Sequence, residues 1–262
     1  MNEWRGKWAL VTGASAGIGM AFARELAAGG ANLVLTARRL ERLEALAAEL
    51  TAKHNTRVEV CAADLADPDA PDDIFAFTGS KGVVVDLLVN NAGFGAYGEF
   101  PTVELERLLD MVQVNVGAVV HLTHLYLREM IERKRGDVLI VASTAAFQAV
   151  PYISTYAGTK AFDLLFAEGL AEEMRPHGIR VCALCPGPTE SEFVEVAAHP
   201  KHTARAQETA EKVAHVGLEA LAAGKSSVVS GLGNKISAVG ASLAPRRLVT
   251  RVAAKLYGPK KV

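Results

Sequence analysis

Short runs of β-branched and aliphatic residues alternate with longer Ala-, Leu- and Glu-rich stretches along almost the whole chain. That alternation is the tightest constraint on the fold. A chain that leaves each strand through a helix and returns to the same edge builds a parallel sheet covered on both faces. The predicted strands are 8–12, 31–36, 57–61, 84–89, 137–142, 179–184 and 226–230. The predicted helices are 17–29, 39–53, 69–77, 103–131, 154–175, 207–223 and 246–257. Gly30, Gly79, Gly136 and Gly178 fall at the breaks, where a helix stop or turn needs them. The expectation is a single α/β domain over 1–262, a doubly wound parallel seven-stranded sheet flanked by helices. Residues 186–206 form the one long irregular connection and are read as a substrate loop.

Composition narrows the partners. With 28 Lys and Arg against 29 Asp and Glu, the net charge is −1, without the basic excess of a nucleic-acid binder. No uninterrupted apolar run reaches the ~18 residues of a membrane span, and the start MNEWRGKWALVTG lacks a signal-peptide pattern. Three cysteines, an odd number in a chain this long, fit a reducing cytoplasm. Cys182 and Cys185 spell a C-x-x-C inside a predicted strand. Positions three apart point to opposite faces there, so the pair is read as two core residues.

The first predicted strand runs straight into Thr12-Gly13-Ala14-Ser15-Ala16-Gly17-Ile18-Gly19, which opens the first helix. Glycines at such a turn let a phosphate approach the backbone, and the helix N-terminus offers it unpaired N–H groups and partial positive charge. The spacing is G-x-x-x-G-x-G, not the commoner G-x-G-x-x-G. Further motifs follow in order: Asp64-Leu65, Asn90-Asn91-Ala92-Gly93, Ser143, Tyr156-Ala-Gly-Thr-Lys160 and Pro186-Gly187. Over about residues 7–193 the chain resembles a single-domain member of the short-chain dehydrogenase/reductase family. The resemblance implies a Rossmann-like fold and hydride transfer with a nicotinamide cofactor.

The residues themselves support that chemistry. Tyr156 and Lys160 stand one turn apart on one helix face. A phenol titrates near 10 and needs help to exchange a proton at neutral pH; an adjacent ammonium favours the phenolate. Ser143 ends a predicted strand, where its hydroxyl can polarise a substrate carbonyl. The resemblance implies that Tyr156 is general acid in reduction and base in oxidation, that Lys160 also holds the ribose, and that Asn115 anchors a water of the proton relay. It further places Gly13, Ser15, Gly17, Ile18, Gly19, Asn91, Gly93, Pro186, Gly187 and Thr189 on the cofactor, with Asp64 and Leu65 at the adenine.

The second predicted strand ends Ala37-Arg38-Arg39. An NAD site wants a carboxylate there. Ala37 takes that position, so Arg38 with Ser15 is expected to hold a 2′-phosphate and the cofactor is read as NADP(H). The substrate wall is expected from Phe94, Tyr97, Phe100, Phe147, Val150, Tyr152 and Phe193, which points to a hydrophobic carbonyl or secondary alcohol. The alternative is a non-catalytic nucleotide-sensing or scaffold protein, though such proteins typically lose the Tyr or Lys. His121 with His124 and His199 with His202 lack the companion ligands of a metal site. Helices 103–131 and 154–175 are where the family dimerises, so a homodimer or homotetramer is expected.

Two departures from the family stand out. Ser191 replaces the usual Thr after the Pro-Gly pair, and 232–262 forms a divergent C-terminal extension. Within it, residues 245–262 carry six basic side chains and no acid. The predicted helix there has an apolar face bordered by Arg251 and Lys255. It either packs on the protein or its partner subunit, covering the substrate mouth, or rests on an anionic membrane; packing is favoured.

Overall fold

The computed structural model describes residues 2–193, 197 and 208–259. Seven strands form one parallel sheet: β1 (Trp8–Thr12), β2 (Asn32–Ala37), β3 (Val58–Ala62), β4 (Val85–Asn90), β5 (Gly136–Val141), β6 (Ile179–Cys185) and β7 (Ser227–Val229). Their order is β3-β2-β1-β4-β5-β6-β7. The chain winds outward in one direction from β1 to β3, then crosses back to begin β4 beside β1. This reversal opens a crevice at the carboxyl ends of β1 and β4, the position where open α/β sheets bind ligands.

Strands buried on both faces read as continuous apolar runs, and alternate residues sort them into two cores. Val11, Leu33, Leu35, Leu87, Val89, Leu139 and Leu184 face α1 (Gly17–Ala28) and α2 (Leu40–His54). Leu10, Val34, Leu88, Val138, Ile140 and Val181 face the opposite layer, from α3 (Ala70–Ser80) to α6 (Ser154–Met174). Cys182 belongs to the first core and Cys185 to the second, as the strand geometry requires. Burial pushes both thiols up to about 12, so neither is reactive.

The predicted 103–131 helix is shifted two residues toward the C-terminus and is interrupted. Leu105–Val112 (α4) and Ala118–Arg133 (α5) are joined by a π turn over Gln113–Gly117, in which Ala118 N–H bonds Gln113 C=O. Together they make a 29-residue helix whose length and hydropathy suffice to cross a bilayer, but Leu122, Tyr126 and Met130 of this helix are fully buried in the second core. Residues 210–222 form α7, and two further helices end the chain, α8 (Leu232–Leu243) and α9 (Arg246–Tyr257). The α8 helix was not predicted. Its glycines and serines have low helix propensity, and its apolar spacing alone carries the signal. Of the expected substrate loop, only 186–193 and Ala197 lie among the described residues.

At the amino ends of the central strands Asp137, on β5, is nearly buried. It accepts from both Arg180 Nε (2.6 Å) and Arg180 Nη2 (2.9 Å) and from the Trp4 indole N–H (2.8 Å). Trp4 itself is buried, so this carboxylate pins the N-terminal segment to the sheet. Asp137→Ala is expected to destabilise by about 2–4 kcal/mol in urea or thermal melts, because it leaves the buried Trp4 indole N–H unpaired and removes the main charge partner of the part-buried Arg180. Glu49→Ala, which breaks the exposed pair with Arg24, is expected to cost less than about 1 kcal/mol.

Candidate active site

The glycine turn after β1 owes its shape to two positions. Gly13 has φ +66° and Gly17 φ +53°, in the left-handed region that glycine enters without strain. A Cβ on Gly19 would stand 2.5 Å from Asn91 Nδ2. The turn is therefore packed directly against the Asn90–Gly93 segment. Thr12 and Asn91 lock them together: the Thr12 hydroxyl accepts from the backbone N–H of Asn91 and Ala92, both at 2.9 Å, and Asn91 Nδ2 donates to Thr12 C=O at 2.8 Å. Asn91 thus acts as a clamp across the crevice.

A cleft of about 740 Å³ runs along this edge. Gly13, Ser15, Gly17 and Ile18 line it from the turn, Asp64 and Leu65 from the end of β3, and Asn91 and Gly93 from the end of β4. Ser143, Tyr156 and Lys160 line it from the other half, with Pro186, Gly187 and Thr189 after β6. Gly19 and Asn115 stand behind the wall. Ser191 reaches over the turn, its Cβ 3.0 Å from where a Gly17 Cβ would be.

A second arginine joins the two residues expected at the 2′-phosphate end. Ser15 Oγ accepts from Arg39, at 3.2 Å from Nε and 3.0 Å from Nη2, and not from Arg38. Arg38 is exposed and lies 3.9 Å from Asp64. Both arginines line the cleft, Arg38 on the side of Asp64 and Arg39 over the glycine turn. Arg39 and Arg42 also share the Glu192 carboxylate, at 2.7 and 2.6 Å. Arg39 is the cationic residue that sequence reasoning missed; the repeated arginine was its only signal.

At the opposite end, α6 presents Tyr156 and Lys160 to the cleft. Lys160 Nζ donates to Val141 C=O (2.8 Å) and to Asp163 Oδ2 (2.9 Å), with both side chains almost wholly buried. An ammonium has three donors, so one remains for a ligand. Asp163 was also missed. It follows Lys160 by three residues on the same helix face, and an acid at a core position is a legible signal. Burial pushes the Tyr156 phenol above its ordinary value, while Lys160 and a hydrogen bond with Ser143 pull it down and Asp163 pushes it up. The net upward direction differs from the phenolate expected from the ammonium alone, because burial of the phenol outweighs the pull of Lys160, with Asp163 adding a smaller push. Lys160, held by Asp163, stays charged.

Asn115 sits fully buried in the π turn. Its Nδ2 donates to Phe94 C=O and to Thr159 Oγ1, both at 3.0 Å, and its Oδ1 accepts from Phe94 N–H at 3.1 Å. Thr159 in turn donates to Tyr156 C=O at 2.8 Å. Asn115 therefore couples the Gly93–Phe94 wall to the helix that carries Tyr156. Gly93 is required beside it, since a Cβ there would lie 3.1 Å from Asn115 Oδ1 and 3.4 Å from Lys160 Nζ.

The expected apolar wall is partly corrected. Phe94, Ile153, Phe193 and Tyr257 line the cleft, and the Phe193 ring packs 5.1 Å from Tyr156. Phe100 is exposed instead, and Phe147 and Val150 pack into hydrophobic clusters, while Thr144, Ala145 and Gln148 of the same segment line the cleft. Tyr97 and Tyr152 stack on each other, and Tyr97 donates to Tyr257 C=O at 2.7 Å. His121 stands 3.3 Å from Asp72.

The glycine cradle and the polar cluster fit a dinucleotide: there is backbone room at the turn, cations at one end and a free ammonium donor at the other. Comparison with known proteins agrees. The family model described as short chain dehydrogenase matches residues 7–202. A very-long-chain 3-oxoacyl-CoA reductase of Pyrenophora tritici-repentis is 38% identical over 181 residues, covering 68% of this chain and 53% of that protein. The one from Homo sapiens is 34% identical over 185 residues, covering 69% of this chain and 59% of its own. The chain thus spans little more than half the length of these curated relatives. Among solved structures, a 7β-hydroxysteroid dehydrogenase superposes with TM-score 0.87 at 28% identity, covering 97% of this chain and 100% of that one. A short-chain dehydrogenase from Sphingobium yanoikuyae in complex with NADPH gives TM-score 0.82 at 28% identity, covering 89% and 92%. The matched span contains every motif that meets at the crevice, and on that ground the chain belongs to the short-chain dehydrogenase/reductase family of oxidoreductases.

Proposed function

We propose that this protein is an NADP(H)-dependent oxidoreductase that interconverts a carbonyl and a secondary alcohol on a bulky apolar substrate. The observation that carries the reading is one cleft with Arg39 and Ser15 at one end and Ser143, Tyr156 and Lys160 at the other. Arg39 and Arg38 would hold a 2′-phosphate, the glycine turn the pyrophosphate, and Lys160 the ribose. The bound dinucleotide supplies or accepts the hydride.

The chain's own residues handle the proton. Ser143 Oγ accepts from Ala145 N–H at 3.1 Å, which leaves its O–H to donate toward a substrate carbonyl. Tyr156, kept neutral by burial, gives its proton to the carbonyl oxygen in reduction. The Lys160 ammonium stabilises the phenolate left behind, and Asn115 fixes the helix that carries both. In the alcohol-to-carbonyl direction the phenolate takes the proton back. Phe94, Ile153, Phe193 and Tyr257 exclude water and favour a hydrophobic substrate. The names of the relatives, reductases of very-long-chain acyl thioesters and a hydroxysteroid dehydrogenase, support a large apolar carbonyl compound.

The protein is also read as a homo-oligomer. Leu109 and Val112 on α4 and Phe162 and Leu165 on α6 are exposed apolar residues of the two helices through which the family dimerises.

Three outcomes test the reading. Tyr156→Phe is expected to lower turnover by at least ~10²-fold while leaving NADPH affinity nearly unchanged; an unmutated protein that binds NADPH but reduces no carbonyl in a ketone screen would favour the nucleotide-sensing alternative. Arg39→Ala is expected to weaken NADPH binding about tenfold or more and NADH binding far less, from loss of a charge-assisted contact. Equal affinity of the unmutated protein for both cofactors would refute the NADP assignment. The third concerns pH. Reduction needs the neutral phenol, so it proceeds fully below the Tyr156 pKa and is lost as pH rises through it; oxidation shows the opposite limb. Asp163→Asn leaves the buried Lys160 ammonium without its counter-ion, and Lys160 lowers the phenol more than Asp163 raises it, so loss of the Lys160 proton should move the fall in reduction to higher pH. An unmoved pH–rate profile would show that Asp163 has no electrostatic hold on Tyr156.

A further inference from the structure

The C-terminal helices carry an apolar surface that the catalytic reading does not use. On α8, Leu232, Ile236, Val239 and Leu243 recur at helical spacing and are 52–82% exposed. The helix packs through its other side, where Ala238 is buried. On α9, Leu248, Val252 and Leu256 form a second stripe, each about half exposed, beside Arg247, Arg251 and Lys255. Ala253 is buried against Val150, Ile153 and Ala157, so α9 does pack on the protein, but with its other face. Packing of the tail on its own chain thus holds for Ala253, while Leu248, Val252 and Leu256 stay exposed on the single chain.

Charge says what fits the bare side. Residues 232–262 contain seven Lys and Arg and no Asp or Glu, leaving 21 basic against 29 acidic residues in the other 231. A second copy docked face to face through this patch, with the two-fold axis passing through it, would set the cationic surface against itself, like charge on like. An anionic bilayer meets both features, because apolar side chains enter the headgroup boundary while flanking Lys and Arg pair with lipid phosphates. The site of chemistry is adjacent: Tyr257, the last residue of α9, lines the cleft and accepts from Tyr97.

We propose that α8 and α9 form a docking surface for an anionic lipid bilayer, which sets the substrate mouth against the membrane. The docking stands independently of the chemistry; only the delivery of an apolar substrate from the bilayer rests on the proposed reductase activity.

The test is co-sedimentation of the full protein with vesicles of phosphatidylcholine alone or mixed with phosphatidylglycerol. The mixed vesicles are expected to bind at least about tenfold more strongly, with binding lost in high salt. Two variants separate the contributions: Ile236→Ser with Leu243→Ser, and Arg247→Gln with Arg251→Gln. All four positions are exposed, so unchanged thermal melts and unchanged turnover of a small water-soluble ketone are expected, while each variant loses vesicle binding. Equal or absent binding to the two vesicle types would overturn the proposal. So would variants that bind as the parent does, or a drop in oligomeric size of the serine variant without vesicles, which would assign the surface to a second copy. Loss of ketone turnover with vesicle binding intact would count against the reductase reading alone.

Discussion

Everything functional in this protein hangs on the place where β1 and β4 lie side by side. Strand order reverses there, so the loops leaving the two strands diverge and a crevice must open between them. Keeping that crevice narrow at its floor requires the glycine turn and the Asn90–Gly93 segment to touch. Gly13 and Gly19 supply the space, and the hydroxyl of Thr12 with the amide of Asn91 supplies the hydrogen bonds. Polar groups buried at a strand end would otherwise be left unpaired. The same four residues therefore satisfy the backbone and shape a site for a phosphate, which is why so specific a run of sequence is needed.

A second constraint is electrostatic. Lys160 is placed in a buried setting where an isolated ammonium would lose its proton. Asp163 prevents that, at the cost of weakening the pull of Lys160 on the Tyr156 phenol. The balance keeps Tyr156 loaded with a proton before substrate arrives. That state suits reduction. In the proposed reaction the positive charge of an oxidised nicotinamide would tip the same balance toward the phenolate, so the same three side chains would suit either direction.

The sheet was legible because parallel strands buried on both faces announce themselves as unbroken apolar runs, and all seven appeared within a residue or two of their positions. The turn, Ser143, Tyr156 and Lys160 were legible because their spacing is dictated by backbone chemistry. Arg39 was not: which of two adjacent arginines turns toward Ser15 depends on how the chain leaves β2. Asp163 was overlooked because an acid three places past a lysine usually forms a solvated surface pair, and only burial changes its meaning. The π turn around Asn115 has no signature in composition. It exists because one residue more than a regular helix can absorb lets the Asn115 amide reach Phe94 and Thr159. The helix over 232–243 was hidden by its glycines and serines.

That last omission bears on how the two ends of the molecule work together. A helix so poor in intrinsic propensity needs tertiary contacts to persist, yet α8 buries only Ala238 and turns its larger apolar residues outward. A protein selected for stability alone would place those leucines against its own core, where each would gain roughly 1.5–3 kcal/mol from burial. Their outward placement follows instead if the surface has an apolar partner to meet. Because α9 continues from this surface to Tyr257, which lines the cleft and packs in the same cluster as Tyr156, the exposed apolar surface and the wall beside the phenol belong to one pair of helices.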